Sequence, residues 1–386
     1  MTLRILHVYK DYPPVMGGIE YHIRALAEAQ AALGHAVTVL VTGAGRRSTI
    51  DVENGVRVVR AGRWATVSST PLSWDLGYQL ARQRPDVTHL HAPYPVGEAA
   101  WLVAGRRPMV LSYHSDIVRQ RLLGALWSPG LRLVLARAAR VIAGSPTYAD
   151  TSPYLRRVRA KVTVVPYGIR TERVAGGDPR AARALYGAGP NLVFIGRLRY
   201  YKGLHVLIDA LAELDSVDLL VVGTGGMGDA LKAQAAERGV AARVRWLGDV
   251  PDDQLATVLA AGDLFVLPAT HRSEAFGIVQ LEAMAAGLPV VSTELGTGTS
   301  WVNQDGLTGR VVAPGDPGAL AAAIRGLLAD PETRRRMGIA AQARVAAEFT
   351  EARMVERVLA VYAAVTGGGD EPARAFESSP GSMRDE

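Results

Sequence analysis

Four charged side chains stand at spacings that suggest chemistry. The stretch "GRLRYYKG" at 196–203 carries Arg197 and Lys202 between an apolar run, "NLVFI", and a helical pattern, "LHVLIDALAEL". Gly196 lets the backbone turn tightly at a strand end. Two cations beside a helix N-terminus, where backbone N–H groups also favour anions, suit a diphosphate. An ordinary basic strand-to-helix loop gives the same pattern. The stretch "RSEAFGIVQLEAMAAG" at 272–287 sets Glu274 and Glu282 eight positions apart. On one helix they would stand roughly two turns and about 80° apart, too far to hold one atom together. Gly277 marks the end of a loop, which leaves Glu274 in that loop and Glu282 in the helix that follows. Ionised carboxylates only accept hydrogen bonds, so the pair fits hydroxyls on separated rings of one extended ligand.

Three further stretches are candidates. "VVGTGGMGDAL" at 221–231 places Gly223, Gly225 and Gly228 in a glycine-rich turn. It lies mid-chain without an acidic strand end about 20 residues on, so it reads as a tight turn, with or without a nucleotide, rather than a dinucleotide fingerprint. "SYHSD" puts His114 at the mouth of a strand, where a lone histidine is more often structural. "YPPVMGGIEYH" offers Gly17 and Gly18 just before a helix, where a ligand can approach backbone N–H groups.

The elements that must hold these residues follow a repeating pattern. Continuous apolar runs at 3–8, 36–41, 56–59, 86–91, 108–114, 140–145 and 162–166 alternate with helical segments, the first of them Ile19–Leu33 ended by Gly34. Continuous rather than alternating apolar strands indicate parallel sheets covered on both faces. A second series occupies 191–196, 218–223, 243–248, 263–268, 288–293 and 309–314. The expected fold class is therefore α/β, with two tandem doubly wound Rossmann-like domains facing an interdomain cleft. The expected division is an N-terminal Rossmann-like domain over 1–170, a turn-rich linker over 171–190 and a C-terminal Rossmann-like domain over 191–349. A last amphipathic helix over 350–366 is expected to pack back on the N-terminal domain, followed by a disordered tail over 367–386. Ligands of such sheets bind beyond the carboxyl ends of the strands, which makes the cleft the expected site.

Composition narrows the class. The 386 residues are 48% hydrophobic, with mean hydropathy +0.10 and no cysteine, which excludes disulfides and cysteine-based zinc sites. No apolar run approaches the roughly 20 residues of a membrane span, and "MTLRILHVYK" reads as a strand rather than a signal peptide, so a cytoplasmic location is expected. Residues 1–165 carry 21 Lys/Arg against 10 Asp/Glu, and the remainder 22 against 27. A basic first half suggests an anionic substrate or membrane surface, although arginine-rich usage alone also produces it. Residues 119–140, with Arg119, Arg121, Trp127, Arg132, Arg137 and Arg140, form a basic amphipathic stretch interrupted by Pro129 and Gly130. It suits peripheral contact with an anionic membrane, or a helix packed on its own sheet.

Together "GRLRYYKG", "SEAFGIVQLEAMAAGLPVV", the glycine pair at 17–18, "YHSD" and "VVPYGI" resemble the family-4 retaining glycosyltransferases of GT-B fold, in order from residue 3 to about 365. The resemblance implies metal-independent transfer of a hexose from a nucleotide diphosphate to a hydroxyl acceptor, with no cofactor, no metal and no nucleic acid. Arg197 and Lys202 would stabilise the leaving diphosphate, and Glu282 would accept from the ribose hydroxyls. Glu274, with Ala275, Phe276, Gly277 and Ile278, would hold the donor sugar. His114 would lie beside the transferred sugar, Gly17 and Gly18 would face the diphosphate and acceptor, and Gly196 would be among the donor-binding residues. The base would pack near "LGDVPDD", at Leu247, Gly248 and Val250. Front-side attack is implied, so Glu274 is not taken as a nucleophile.

"PYGI" carries Tyr167, and Arg170 follows it, where the family often has Asn and Asp, which leaves that loop's role open. "LGTGTSWVNQDGLTGRVV" at 295–312 is similar to bacterial transferases that build O-antigen and other surface polysaccharides. GDP-mannose is the first donor expected, a UDP-sugar the second, and a glycan or lipid-linked glycan the acceptor. A sugar-nucleotide epimerase and a catalytically silent sugar-nucleotide-binding subunit are the alternatives.

Overall fold

The computed structural model describes residues 2–15, 17–67, 70–106, 108–116 and 121–367, without the side chains of 121–125. The expected disordered tail lies, apart from Gly367, outside these residues. So does Arg119 of the basic stretch, along with the side chain of Arg121.

Two parallel sheets carry the molecule. The first has eight strands in the order Val162–Val164, Arg140–Ala143, Met109–Tyr113, Val87–Ala92, Arg4–Val8, Ala36–Thr42, Val56–Ala61 and Thr49–Glu53. The second has six: Val244–Gly248, Asp218–Val222, Asn191–Ile195, Leu264–Leu267, Val290–Thr293 and Gly309–Val312. In both, the strand order reverses next to the first strand of the series, and a crevice opens there beyond the carboxyl ends. The central strands Val87–Ala92, Met109–Tyr113, Asn191–Ile195, Leu264–Leu267 and Val290–Thr293 are buried from end to end, as continuous apolar runs require.

Two elements had no counterpart in the sequence reading. Thr49–Glu53 pairs antiparallel with Val56–Ala61 at the edge of the first sheet, turning at Asn54 and Gly55, both at positive φ. The Asn-Gly pair supplies the turn, but Ile50 and Val52 are exposed, so this edge strand shows no buried face to read. A hairpin of Ala65–Val67 with Thr70–Leu72 stands apart from the sheet. The stretch 171–190, read as a turn-rich linker, contains the helix Pro179–Tyr186. Asp178 caps it by accepting from the Arg180 N–H, Pro179 opens it, and Gly187 closes it. Likewise Pro129 and Gly130 do not break the basic stretch, which is one helix, Arg121–Arg137.

The chain crosses between the sheets twice, side by side. The Ile169 N–H donates to the Phe349 carbonyl, and the Glu351 N–H donates back to the Ile169 carbonyl, each at 2.9 Å. A Cβ at Gly168 would stand 2.3 Å from the Thr350 carbonyl oxygen, so the two crossings touch. Beyond Thr350, the helix Glu351–Thr366 packs against the helix Gly18–Ala32, and Met354, Val355, Val358, Val361 and Tyr362 join the core of the first sheet.

Candidate functional site

The crevice between the sheets is a cleft of about 1360 Å³. Its wall on the first sheet's side is Gly17, Gly18 and Tyr21, at the start of the helix Gly18–Ala32. Opposite stand the segments that follow Asn191–Ile195 and Asp218–Val222, together with Asp249, Val250, His271 and the first turns of the helix Ile278–Ala285. Gly18 approaches the far wall closely, since a Cβ there would lie 3.9 Å from Ile278 Cδ1.

Arg197 and Gly196 line the cleft, and the Arg197 side chain is solvent-exposed. Lys202 lies under Gly196, its Nζ 3.6 Å from where a Gly196 Cβ would stand. There it forms a buried ion pair with Glu274, Nζ to Oε2 2.6 Å. Burial is the largest influence on the Lys202 amine and lowers its pKa, but the Glu274 carboxylate more than reverses this, so the net shift is upward and the amine stays charged. Gly203, which starts the next helix at φ 74°, has no room for a side chain because Pro268 O stands 1.8 Å from its would-be Cβ.

Glu282 faces the cleft from the second turn of its helix, and its Oε1 accepts from Arg173 Nη1 at 3.1 Å. Burial pushes the Glu282 carboxyl up to about 7, against the pull of Arg173. Arg173 also pairs with Asp252 and lays its guanidinium 4.8 Å from the centre of the Tyr21 ring. Arg173 and Tyr21 thus tie the two walls together beside Glu282. Neither was a candidate from the sequence, because 109 positions separate Arg173 from Glu282 and only the fold joins them. Glu20, one residue from Tyr21, is shifted up by burial while Lys10 and, more weakly, Arg197 across the cleft draw it down.

The glycine-rich turn at 223–226 belongs to the cleft as well. Gly223 sits at φ 118° and a Cβ there would meet the Gly196 carbonyl at 2.2 Å, while one at Gly225 would stand 2.6 Å from the Leu198 carbonyl. These two glycines let the two strand-end loops lie against each other. Thr224 donates to Asp249 beside them.

Other candidates lie off the cleft wall. Ala275, Phe276 and Gly277 form the loop between Glu274 and the helix, and the Phe276 ring meets Tyr167 edge-on, 4.8 Å between centres. Of the residues expected around the base, Val250 lines the cleft, and Leu247 and Gly248 do not. His114 does not reach the cleft wall, contrary to its expected place beside a transferred sugar. Its ring turns inward, is almost fully buried, and has both nitrogens engaged, Nε2 with His91 at 2.9 Å and Nδ1 with the Tyr167 hydroxyl at 2.6 Å. The departure at Tyr167 therefore has a structural part, a contact that spans the domain seam. Among the described residues, the groups close enough to share a metal ion are buried histidine trios, His7–His89–His91 and His22–His91–His114, both away from the cleft carboxylates.

Residues 16–173 match the family model "Glycosyltransferase Family 4", and residues 179–344 match "Glycosyl transferases group 1". The D-rhamnosyltransferase WbpZ of Pseudomonas aeruginosa is 37% identical over 90% of this chain and 92% of its own length. The O-antigen chain mannosyltransferase C of Escherichia coli is 33% identical over 93% and 98%. The Anabaena HepE protein, solved with UDP and glucose, superposes with a TM-score of 0.75 at 22% identity, over 93% of this chain and 99% of that one.

Proposed function

Since the chain belongs to the family-4 glycosyltransferases of GT-B fold, we propose that it moves a hexose, mannose from GDP-mannose first, from a nucleotide diphosphate to a hydroxyl of a growing surface glycan. The observation that carries this reading is the arrangement of the cleft. An exposed arginine stands at one strand end, a buried Lys202–Glu274 pair lies beneath it, and a carboxylate faces the cleft from the adjacent helix. The O-antigen chain mannosyltransferase among the relatives supports the class of acceptor.

In this reading the acceptor hydroxyl oxygen attacks the anomeric carbon from the side the leaving group departs. The bond from that carbon to the diphosphate oxygen breaks, and the departing oxygen takes the hydroxyl proton, so the anomeric configuration is retained. Arg197 and Lys202 offset the charge growing on the diphosphate, without a metal ion in the step. Glu282 accepts from the ribose hydroxyls, Glu274 and the loop through Gly277 hold the sugar, and Val250 borders the base. Exposed Leu126, Arg132, Leu133 and Arg137 on the helix Arg121–Arg137 support peripheral contact with an anionic bilayer. The Trp127 indole takes no part in that, since it donates to buried Glu98. No described helix is long and apolar enough to cross a membrane.

A thermal-shift panel of GDP-, UDP-, ADP- and dTDP-sugars tests the donor, because a ligand of the native state raises the melting temperature by mass action. GDP-mannose is expected to give the largest shift, and a shift with UDP-sugars alone overturns that choice. Slow release of nucleotide from the best donor separates an enzyme from a silent binding subunit.

A further inference from the structure

Five of the eight histidines of the chain are buried together between the first sheet and its covering helices. Three form an unbroken hydrogen-bonded row. Gln30 Oε1 lies 2.8 Å from His7 Nε2, His7 Nδ1 lies 3.1 Å from His91 Nε2, and His91 Nδ1 lies 2.9 Å from His114 Nε2. The row ends at His114 Nδ1, 2.6 Å from the Tyr167 hydroxyl. His89 stacks on His91 and hydrogen-bonds the Tyr362 hydroxyl and Ser112, and His22 stands edge-on to His91, His114 and Tyr167.

A neutral imidazole carries one N–H and one acceptor nitrogen, so a row of neutral rings has a direction. Burial lowers the pKa of all five histidines, to about 4 at His7 and about 3 at His114, so the rings are neutral. The direction is then set at the Gln30 end. The Gln30 carbonyl oxygen lies against His7 Nε2 at 2.8 Å, while its amide nitrogen has no close hydrogen-bond partner among the described residues. The carbonyl end thus meets His7 and accepts its Nε2–H. His7 Nδ1 must then accept from His91 Nε2–H, His91 Nδ1 from His114 Nε2–H, and His114 Nδ1 from the Tyr167 hydroxyl.

We propose that Gln30, His7 and His91 are positioning residues: they fix the Nε2–H tautomer and orientation of His114, which holds Tyr167 and, through its ring, Phe276 of the loop that follows Glu274. The place of this strut in catalysis rests on the function proposed above. Gln30 and Phe276 belong to different sheets' packing, and the contacts named are the whole path between them: hydrogen bonds as far as Tyr167, then the ring contact at 4.8 Å. Tyr167 is tightly seated, since a Cβ at neighbouring Gly144 would lie 2.7 Å from its ring.

Side-chain ¹⁵N–¹H spectra of the full chain without ligand test the direction of the row. His7, His91 and His114 are each expected as neutral Nε2–H tautomers at pH 6. Gln30→Met removes the acceptor at similar size and is expected to change the tautomer of at least one of the three, while Gln30→Glu keeps an acceptor and restores the wild-type pattern. With the best nucleotide sugar, Gln30→Met is expected to lower kcat by about tenfold through misplacement of the sugar loop, leaving nucleotide affinity within about twofold. An Nδ1–H or charged His114 in the wild type, unchanged tautomers in Gln30→Met, or a metal ion bound stoichiometrically by the histidines each overturns the proposal. If no nucleotide sugar is turned over by the wild type, the function reading fails while the spectra still decide the strut.

Discussion

Lys202 and Glu274 are partners in a buried ion pair, Nζ to Oε2 2.6 Å with 12% and 10% of their side chains exposed. The cation proposed for the diphosphate and the carboxylate proposed for the sugar therefore hold each other in position. A ligand that recruits both must meet them as a unit.

Removing one partner is expected to strand the other. Glu274→Met or Lys202→Met should each cost about 3–5 kcal/mol of stability, because an uncompensated charge remains buried. Replacing both with methionine should cost less than either single change. Chemical denaturation of the three variants makes the comparison, and an additive double variant would show that the pair is not coupled.

Nucleotide affinity is expected to rise with pH. Glu282 accepts ribose hydroxyls only when ionised, and its carboxyl is held up to about 7 by burial. Titration calorimetry between pH 6 and 8 should show the nucleotide binding more tightly at the alkaline end, with Glu282→Gln weak and flat across the range. A wild-type affinity independent of pH takes Glu282 out of the ribose role.

Arg173→Ala should reinforce that trend. Arg173 is the cation that favours the ionised form of Glu282 and also caps the Tyr21 ring. Its loss is expected to push the Glu282 carboxyl further up and to weaken nucleotide binding at pH 7 by about tenfold, with partial recovery at pH 8.5. No recovery at high pH would mean that Arg173 acts by contact rather than through Glu282.

Stability is expected to fall with acidification. The five buried histidines have folded-state pKa values below the ordinary value of about 6.5, so their contribution is complete above that pH and is lost as pH falls toward 4 and 3, the values at His7 and His114. The groups around them, Gln30, Ser112, Tyr167 and Tyr362, are neutral. Glu20, Glu98 and Glu282, all shifted up chiefly by burial, work in the opposite sense over part of that range. The large downward histidine shifts outweigh the carboxyl shifts and leave a net loss, read as a melting temperature that drops between pH 6.5 and 4.5. A flat or rising melting temperature there would contradict neutral packing of the histidines.

What the sequence made legible is what local punctuation encodes. Arg197, Gly196, Glu282 and the glycine pair at 17–18 follow strand ends or sit in the first turns of helices, and the cleft collects residues from those places. Placing Glu274 in a loop and Glu282 on a helix needed only helical geometry and Gly277, which is at φ 75° where the helix begins. Direction is what the sequence could not supply. The position of His114 after its strand says nothing of whether the ring turns to the cleft or the core. It turns to the core because His91 and Tyr167 satisfy both its nitrogens there. The partnership of Lys202 with Glu274, and that of Arg173 with Tyr21 and Glu282, also needed the folded chain. The edge strand Thr49–Glu53 was hidden because it buries almost nothing.

The helix Glu351–Thr366 completes the core begun by the first strand, with Tyr362 hydrogen-bonded to His89. During synthesis, the first sheet emerges from the ribosome and waits while both the second sheet and the return crossing at Thr350 are made. The apolar surface that Met354, Val355, Val358 and Val361 will cover stays open for that whole interval. Completion of the N-terminal half thus waits on residues 351–366, and a nascent chain halted before residue 351 presents a finished second sheet beside an unfinished first.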